Sequence, residues 1–408
     1  MFHCRFCQST LSETFADLGM SPLSNSYVSS SKLQGMERFF PLHAYVCGSC
    51  FLVQLPEFET PEQIFSDYAY FSSYSDSWLS HAERYAQAMV ERWKLGADAL
   101  VLEIASNDGY LLQYFKQRGI PVLGVEPAAN VAKVAVDKGI PTDVAFFGEK
   151  KGRALAASGK SAALIAANNV LAHVPDINDF VKGLRVALKS HGCITVEVPH
   201  LLQMMQHNQF DTIYHEHFSY LSLGFICKLF VSHGLRVFDV EEIPTHGGSL
   251  RVFGCHQDDA TKTTSKTVGE ILEREHEYGL LNVVTYRHFA EQVIRTKCDL
   301  LDFFVNAYRS GKKVVGYGAP AKGNTLLNYC GIGPEFLPFT VDRSPHKQGL
   351  FLPGTHIPIR APDAVLQIKP DYLFILPWNL RQEISEQMAA IRSWGGKFVV
   401  PIPRLEVF

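Results

Sequence analysis

No apolar run in this 408-residue chain approaches the ~18 residues that a membrane span needs, so none is expected. The opening MFHCRFCQS holds neither a basic nor an apolar stretch, and the expectation is a cytoplasmic chain without a signal peptide. Charge of one sign is not in excess: 38 Lys and Arg stand against 41 Asp and Glu, a net of −3. A broad nucleic-acid-binding surface is therefore not expected, though a local basic pocket remains open. Low-complexity tracts and solenoid-period repeats are missing too. The nine cysteines are an odd number, which argues against a disulfide framework in such a chain. With 47% apolar and 19% charged residues the chain is not disordered, and its length allows two to four domains with their own cores.

Three textures follow one another. Residues 1–62 carry four of the cysteines among turn residues and short β-like runs such as HAYVC and FLVQL. Residues 63–255 alternate short apolar runs (ALVLEIA, PVLGVE, SAALIAANN, CITVEVP) with helical spacers. That alternation predicts an α/β fold, a parallel sheet with helices on both faces. The third unit is 256–408, in which a polar, helix-rich connector (256–310) leads to a second Rossmann-like α/β rhythm of KKVVGYGAP, FLPFTVD, DYLFILPW and GKFVVPIP.

Cys4 and Cys7 form one C-x-x-C pair, and Cys47 and Cys50 another, after 39 intervening residues. Two such pairs in a segment too small for a large core read as a tetrahedral thiolate site for Zn²⁺. Four sulfur ligands leave no open coordination position, so the expected ion is structural, and it staples the small module. The five other cysteines read as buried small hydrophobes.

VLEIASNDGYLL has the strand–loop–helix form of a nucleotide-type loop. Glu103 offers a carboxylate to an ammonium, Ala105 and Gly109 let the backbone approach a ligand, and Asn107 and Asp108 suit a helix cap. Glu126, followed by Pro127, ends the next strand, where a carboxylate suits ribose hydroxyls. The glycine cradle G-x-G-x-x-G is missing here, so a pyrophosphate lacks its usual seat. The pattern resembles that of class I methyltransferases, in which the first loop wraps S-adenosylmethionine (SAM). Asn168 and Asn169 end the following strand, and His173 lies on the same loop.

Tyr214-His215-Glu216-His217 is an acid–base cluster without the H-E-x-x-H spacing of a zinc protease. An extended backbone would place Tyr214 with Glu216 and His215 with His217; a turn would regroup them. Imidazole can remove a proton next to a carbonyl, and a tyrosine can donate to the resulting enolate. In the last unit, KKVVGYGAPAKGNTLLNY is strand, glycine-rich loop and helix, with Gly316 and Gly318 small, Lys322 positive and Asn324 polar. By itself this loop partly fits a dinucleotide site.

Together these blocks resemble the SAM-dependent sugar C-methyltransferases of deoxysugar biosynthesis. DYAYFSSYSDSW, LEIASNDGYLL, NNVLAHVPD, YHEHFSYLS, THGGSLRV, GYGAPAKGNTLLNYCGI and VDRSPHKQG occur in order, after the cysteine quartet. The resemblance implies a zinc module, a SAM-binding domain and a C-terminal α/β domain. It implies methylation at C3 of a nucleotide-linked (dTDP or GDP) 4-keto-6-deoxyhexose, with His217 as general base. It assigns Tyr214, Glu216 and His173 to positioning the sugar, and Tyr68 and Tyr70 to closure over it, without distinguishing the two tyrosines. Ser249 and Arg251 are implied substrate contacts, with His246, Gly247 and Gly248 as a turn. Tyr317, Gly318, Lys322, Asn324, Asp342 and Lys347 are implied for the nucleotide diphosphate. SAM and structural Zn²⁺ are the implied cofactors, and a monomer the implied state. The competing readings are an NAD-dependent nucleotide-sugar oxidoreductase and a zinc-containing nucleic-acid-binding protein.

Overall fold

Three sheets organise the chain, and the order of their strands marks where ligands gather. The computed structural model describes residues 2–60, 71–74 and 76–408; Tyr68 and Tyr70 lie outside the described residues. In the first unit β1 (Glu13–Ser21) pairs antiparallel with β2 (Phe40–Val46), and β2 with β3 (Val53–Gln54). Alternation buries Leu42, Ala44 and Val46 on one face of β2.

The continuous apolar runs become central strands. β4 (Val101–Ile104), β5 (Val122–Glu126), β6 (Thr142–Val144), β7 (Ala162–Asn168) and β8 (Leu188–Pro199) run parallel. β4 and β5 are buried at every position, as strands covered on both faces must be. The short β9 (Ser219–Tyr220) leaves this sheet and pairs antiparallel with β3 of the first unit. β10 (Leu235–Ile243) and β11 (Ser249–His256) complete the order β10-β11-β8-β7-β4-β5-β6. Strand order reverses between β4 and β7, so the crevice beyond their carboxyl ends is the natural ligand site.

The last sheet contains β12 (Val314–Tyr317), β13 (Thr340–Val341), β14 (Ile359–Arg360), β15 (Tyr372–Ile375), β16 (Lys397–Val400) and β17 (Glu406–Val407). Its order is β14-β13-β12-β15-β16-β17, parallel except for β17. It has its own reversal, at β12.

Three helices position the site. α1 (Asp76–Trp93) buries Ala82, Tyr85, Ala86 and Met89, the i, i+3, i+4, i+7 stripe of an amphipathic helix. α2 (Val283–Arg309) buries Tyr286, Phe289, Val293, Thr296, Leu300, Phe304 and Ala307 at similar spacing. At ~1.5 Å per residue it is a strut roughly 40 Å long. Phe289 stacks on Phe15 of β1 at 4.6 Å, and Phe304 meets Phe374 of β15 at 5.2 Å. The stretch expected as a polar, helix-rich connector thus contains a long helix that packs against both the first and the last sheet. α3 (Ala321–Cys330) follows the glycine-rich loop after β12. No helix among the described residues is long and apolar enough to cross a membrane.

Candidate active site

The four N-terminal thiols converge. All sulfurs of Cys4, Cys7, Cys47 and Cys50 lie within 4.8 Å of one another, with Cys4–Cys50 and Cys7–Cys47 each at 3.5 Å. A tetrahedral zinc with Zn–S of about 2.3 Å sets sulfur separations near ~3.8 Å, so the donor set fits. The two knuckles are copies of one another. Gln8 N–H donates to Cys4 O and Phe51 N–H to Cys47 O, both at 2.9 Å, and Gln8 and Phe51 have φ of 62° and 64°. Gln54 Nε2 donates to Cys4 Sγ at 3.2 Å, a contact that suits a thiolate.

At the β4 end the chain turns sharply, with positive φ at Ala105 (55°), Asn107 (50°) and Gly109 (77°). Gly109 is obligatory: a Cβ there would lie 2.4 Å from Ile140 Cδ1. Glu126 braces the loop, its Oε2 accepting from Asn107 N–H and its Oε1 from Ala128 N–H, both at 2.9 Å. Pro127 continues from it, partly exposed. Asn107 Oδ1 accepts from Ser72 N–H at 2.9 Å, and Asp108 Oδ2 from Ser73 N–H at 3.3 Å. Burial raises Glu103 well above the ordinary carboxylate range, and the charges of Glu126 and Asp108 raise it further. Glu103 Oε2, Asp108 Oδ1, Asn168 Oδ1 and Asn169 Nδ2 are buried without hydrogen-bond partners. A buried acidic pocket with idle acceptors at two strand ends fits a ligand bearing an ammonium and a sulfonium, as SAM does.

The Tyr214–His217 segment is a turn, closed by His217 N–H to Tyr214 O at 2.9 Å. This settles the grouping that the sequence left open. Tyr214 and His217 lie ring to ring at 3.9 Å, while their two neighbours point elsewhere. His215 Nε2 donates to Pro41 O of β2 at 3.2 Å, and Glu216 Oε1 accepts from Asn25 Nδ2 at 2.6 Å. His217 Nδ1–H donates to Thr212 O at 2.9 Å, so its lone pair resides on Nε2. His173 stands 4.7 Å from His217 between ring centres, and its Nδ1–H donates to Glu216 O at 2.7 Å. Burial holds His173 down to about 4 and His217 well below the ordinary imidazole value, where His173 and Lys322 depress it further.

The glycine-rich loop after β12 brings Lys322 to this cluster. Its Nζ donates to Asn379 Oδ1 at 2.7 Å and sits 4.3 Å from the Trp378 ring, while the Trp378 indole donates to Asp211 Oδ2 at 2.7 Å. The other residues implied for the nucleotide are tied into the fold. Tyr317 donates to Gln387 Oε1 at 3.0 Å within the C-terminal core. Gly318 packs so tightly that a Cβ would lie 2.5 Å from Pro377. Asn324 Nδ2 donates to Ser24 O at 2.6 Å. Both Asp342 oxygens accept backbone N–H groups, from Ala319 and Ser344 at 2.8 Å each, and Lys347 Nζ donates to Ala319 O at 2.9 Å. Ser249 Oγ donates to Thr245 O at 2.9 Å. Arg251 bridges Glu197 Oε1 (2.7 Å) and Glu241 Oε2 (2.8 Å), with Tyr85 beneath it. Ser249 and Arg251 are thus held by contacts on and beside β11, and Glu197 links Arg251 to His81.

Several site residues had no sequence signal. Asn25 and Tyr27 lie in a loop of the first unit, and Tyr27 donates to Ala319 O at 2.6 Å. Asp211, Glu197 and Trp378 are isolated in sequence and meet their partners only through tertiary packing. Trp78 and His81, one turn apart on α1, stack at 4.9 Å and were detectable as a shared helix face.

Comparison with known proteins agrees with this geometry. A zinc binding domain family model matches residues 4–65, a methyltransferase domain model 78–240, and a C-methyltransferase C-terminal domain model 244–403. The C-methyltransferase NovU of Streptomyces niveus is 38% identical over 404 residues, covering 99% of this chain and 96% of that protein. Solved structures with partial likeness include a SAM-dependent methyltransferase of Anabaena variabilis (13% identity, TM-score 0.37, 44% of this chain and 86% of that one). Another is the magnesium protoporphyrin IX methyltransferase of Synechocystis (13% identity, TM-score 0.34, 43% of this chain and 81% of that one). Neither structural likeness is close enough to carry weight beside full-length identity. Being 38% identical to a C-methyltransferase over nearly its full length, and matching methyltransferase and C-methyltransferase domain models in order, the chain belongs to the SAM-dependent C-methyltransferases.

Proposed function

We propose that the acceptor is C3 of a nucleotide-linked 4-keto-6-deoxyhexose, dTDP- or GDP-bound, and that His217 is the general base. The observation that carries this reading is the locked His217 imidazole. Its Nδ1–H is committed to Thr212 O, leaving Nε2 as a proton acceptor beside Tyr214 and His173. Unlike many amines, a carbon nucleophile must be deprotonated, and a proton next to a ketone is acidic enough for imidazole. Burial keeps His217 neutral, so its base form is ready at neutral pH.

Each part of the chain then has a task. Glu103, Asp108, Asn107, Gly109, Ala105, Glu126 and Pro127 frame the SAM pocket, with Asn168 and Asn169 opposite. When bound, SAM supplies an electrophilic methyl group whose C–S bond pair leaves with S-adenosylhomocysteine. Nε2 of His217 removes the C3 proton, and Tyr214 and His173 hold the ring in place against the turn. Glu216, anchored on Asn25, fixes that turn and presents its carbonyl to His173. Lys322 offers a cation at the mouth on the C-terminal side, and Gly318, Asp342 and Lys347 shape the loop behind it. A water-poor cleft and alignment supply much of the rate.

The test is a turnover mixture in deuterated water with SAM and dTDP- or GDP-4-keto-6-deoxyhexose, analysed by mass spectrometry. Wild type should add one methyl to the sugar, and His217→Ala should lose activity by at least about a hundredfold while retaining SAM binding. An unimpaired His217→Ala would move the base elsewhere, and no transfer to either sugar would remove the proposed acceptor class.

A further inference from the structure

His246 stands out in a part of the site that the sequence reads only as a turn. It is a non-glycine residue at φ 54°, followed by Gly247 at 92° and Gly248 at 114°. A left-handed backbone is uncommon for a non-glycine residue, though histidine takes it more readily than most, and it persists where its surroundings impose it. Here they do: Gln209 Nε2 donates to Gly247 O at 2.8 Å, Gly248 N–H to Thr245 O at 3.0 Å, and His200 N–H to Gly248 O at 3.1 Å. Close packing excludes side chains from the next two positions. A Cβ on Gly247 would lie 2.8 Å from Trp378 Cη2, and one on Gly248 2.9 Å from Gln203 Cγ. The loop is held from three sides so that one imidazole projects.

That imidazole meets the start of α1. It is exposed, yet its ring lies edge-on to Trp78 at 5.6 Å, and Trp78 in turn stacks near Tyr110 of the SAM loop at 6.1 Å. His173 and Lys322 are within electrostatic reach of it, and it in turn acts on His217. Among the described residues none hydrogen-bonds to either ring nitrogen. The other site imidazoles, His173, His217 and His81, all have a bonded nitrogen. The protein atoms packed around it, and then the charge of Lys322, lower His246 below the ordinary imidazole value even though the residue opens to solvent, so the ring is neutral at neutral pH. A neutral imidazole can donate N–H to a carbonyl without protonating it.

Resting on the reading of His217 as base, we propose that His246 is a second catalytic imidazole, which donates its ring N–H to the carbonyl oxygen of the acceptor ketone. As His217 takes the proton from the adjacent carbon, the C–H bond pair becomes the enolate double bond and the carbonyl pair moves onto oxygen. His246 meets the charge that develops there. Its strained loop is the pre-organisation such a donor needs.

The experiment measures deuterium exchange at the acceptor carbon of dTDP-4-keto-6-deoxyglucose by NMR, without SAM, in wild type and His246→Asn. Asparagine tolerates the left-handed backbone, so the loop is kept while the ring is lost. A parallel readout maps carbethoxylation of His246 by diethyl pyrocarbonate with and without the sugar nucleotide. The expected result is exchange slowed about a hundredfold, SAM affinity unchanged, and His246 protected by the sugar. Wild-type exchange rates in His246→Asn, or carbethoxylation that ignores the sugar, would overturn the assignment alone. A wild type that exchanges no deuterium overturns the acceptor reading and this assignment with it.

Discussion

At the scale of single residues, the distinction that matters is between side chains with idle polar atoms and those already spent on the fold. Arg251 belongs to the second kind: it is 7% exposed and bonded to Glu197, itself fully buried. Removing Arg251 leaves the buried Glu197 with His81 as its remaining partner, a loss of up to about 3–5 kcal/mol. Arg251→Ala should therefore lower the melting temperature strongly, and thermal unfolding is the check; a stable variant with only a raised KM for sugar would point to substrate contact. Glu103, Asn168 and Asn169 are of the first kind, with idle buried atoms at strand ends. The sharp loop after β4 was legible in the sequence because it is contiguous: strand, small residues, caps and a second carboxylate at fixed spacing. The residues that lock His217 were not. Thr212 acts through its carbonyl, which its side chain does not advertise. Asn25 reaches Glu216 across 191 positions.

Elements add constraints that residues alone do not carry. The turn after β4 exists because Gly109 accepts φ 77° where a Cβ would strike Ile140. Gly109→Ala should loosen SAM binding and destabilise the domain by roughly 1–3 kcal/mol, read by calorimetric titration and thermal unfolding. The first turn of α3 delivers Lys322 to the imidazoles. Its positive charge disfavours the protonated form of His217 and so lowers the pH at which that imidazole becomes neutral. Lys322→Met should raise that value, moving the acid limb of the exchange rate to higher pH; an unmoved limb would mean that Lys322 does not act on the base. The fold class was plain from the apolar runs, since buried parallel strands must be apolar throughout. The role of α2 was hidden, because its charged outer face masks a seven-residue stripe that only a 3.6-residue periodicity count reveals.

At the scale of the whole molecule, the zinc module is tied directly to the turn that carries His217 and is no mere appendage. β9, directly after His217, pairs with β3, and His215 bonds to Pro41 of β2. Phe218 links both sides, its N–H on Ala172 O (2.8 Å) and its O on Leu55 N–H (3.0 Å). Metal binding is folding energy for a small thiolate module. Cys47→Ser should therefore abolish exchange at the acceptor carbon while SAM still binds the central domain; retained exchange would detach the module from the chemistry. No sequence pattern announces this coupling, because a two-residue strand carries no periodicity. The most direct test of the account follows the methyl group itself. Turnover with SAM labelled with carbon-13 at its methyl, followed by NMR of the sugar product, reports the atom that receives it. The account predicts a methyl carbon bonded to C3 with the C3 proton gone. A label on oxygen or nitrogen, or on a carbon remote from the ketone, would contradict it.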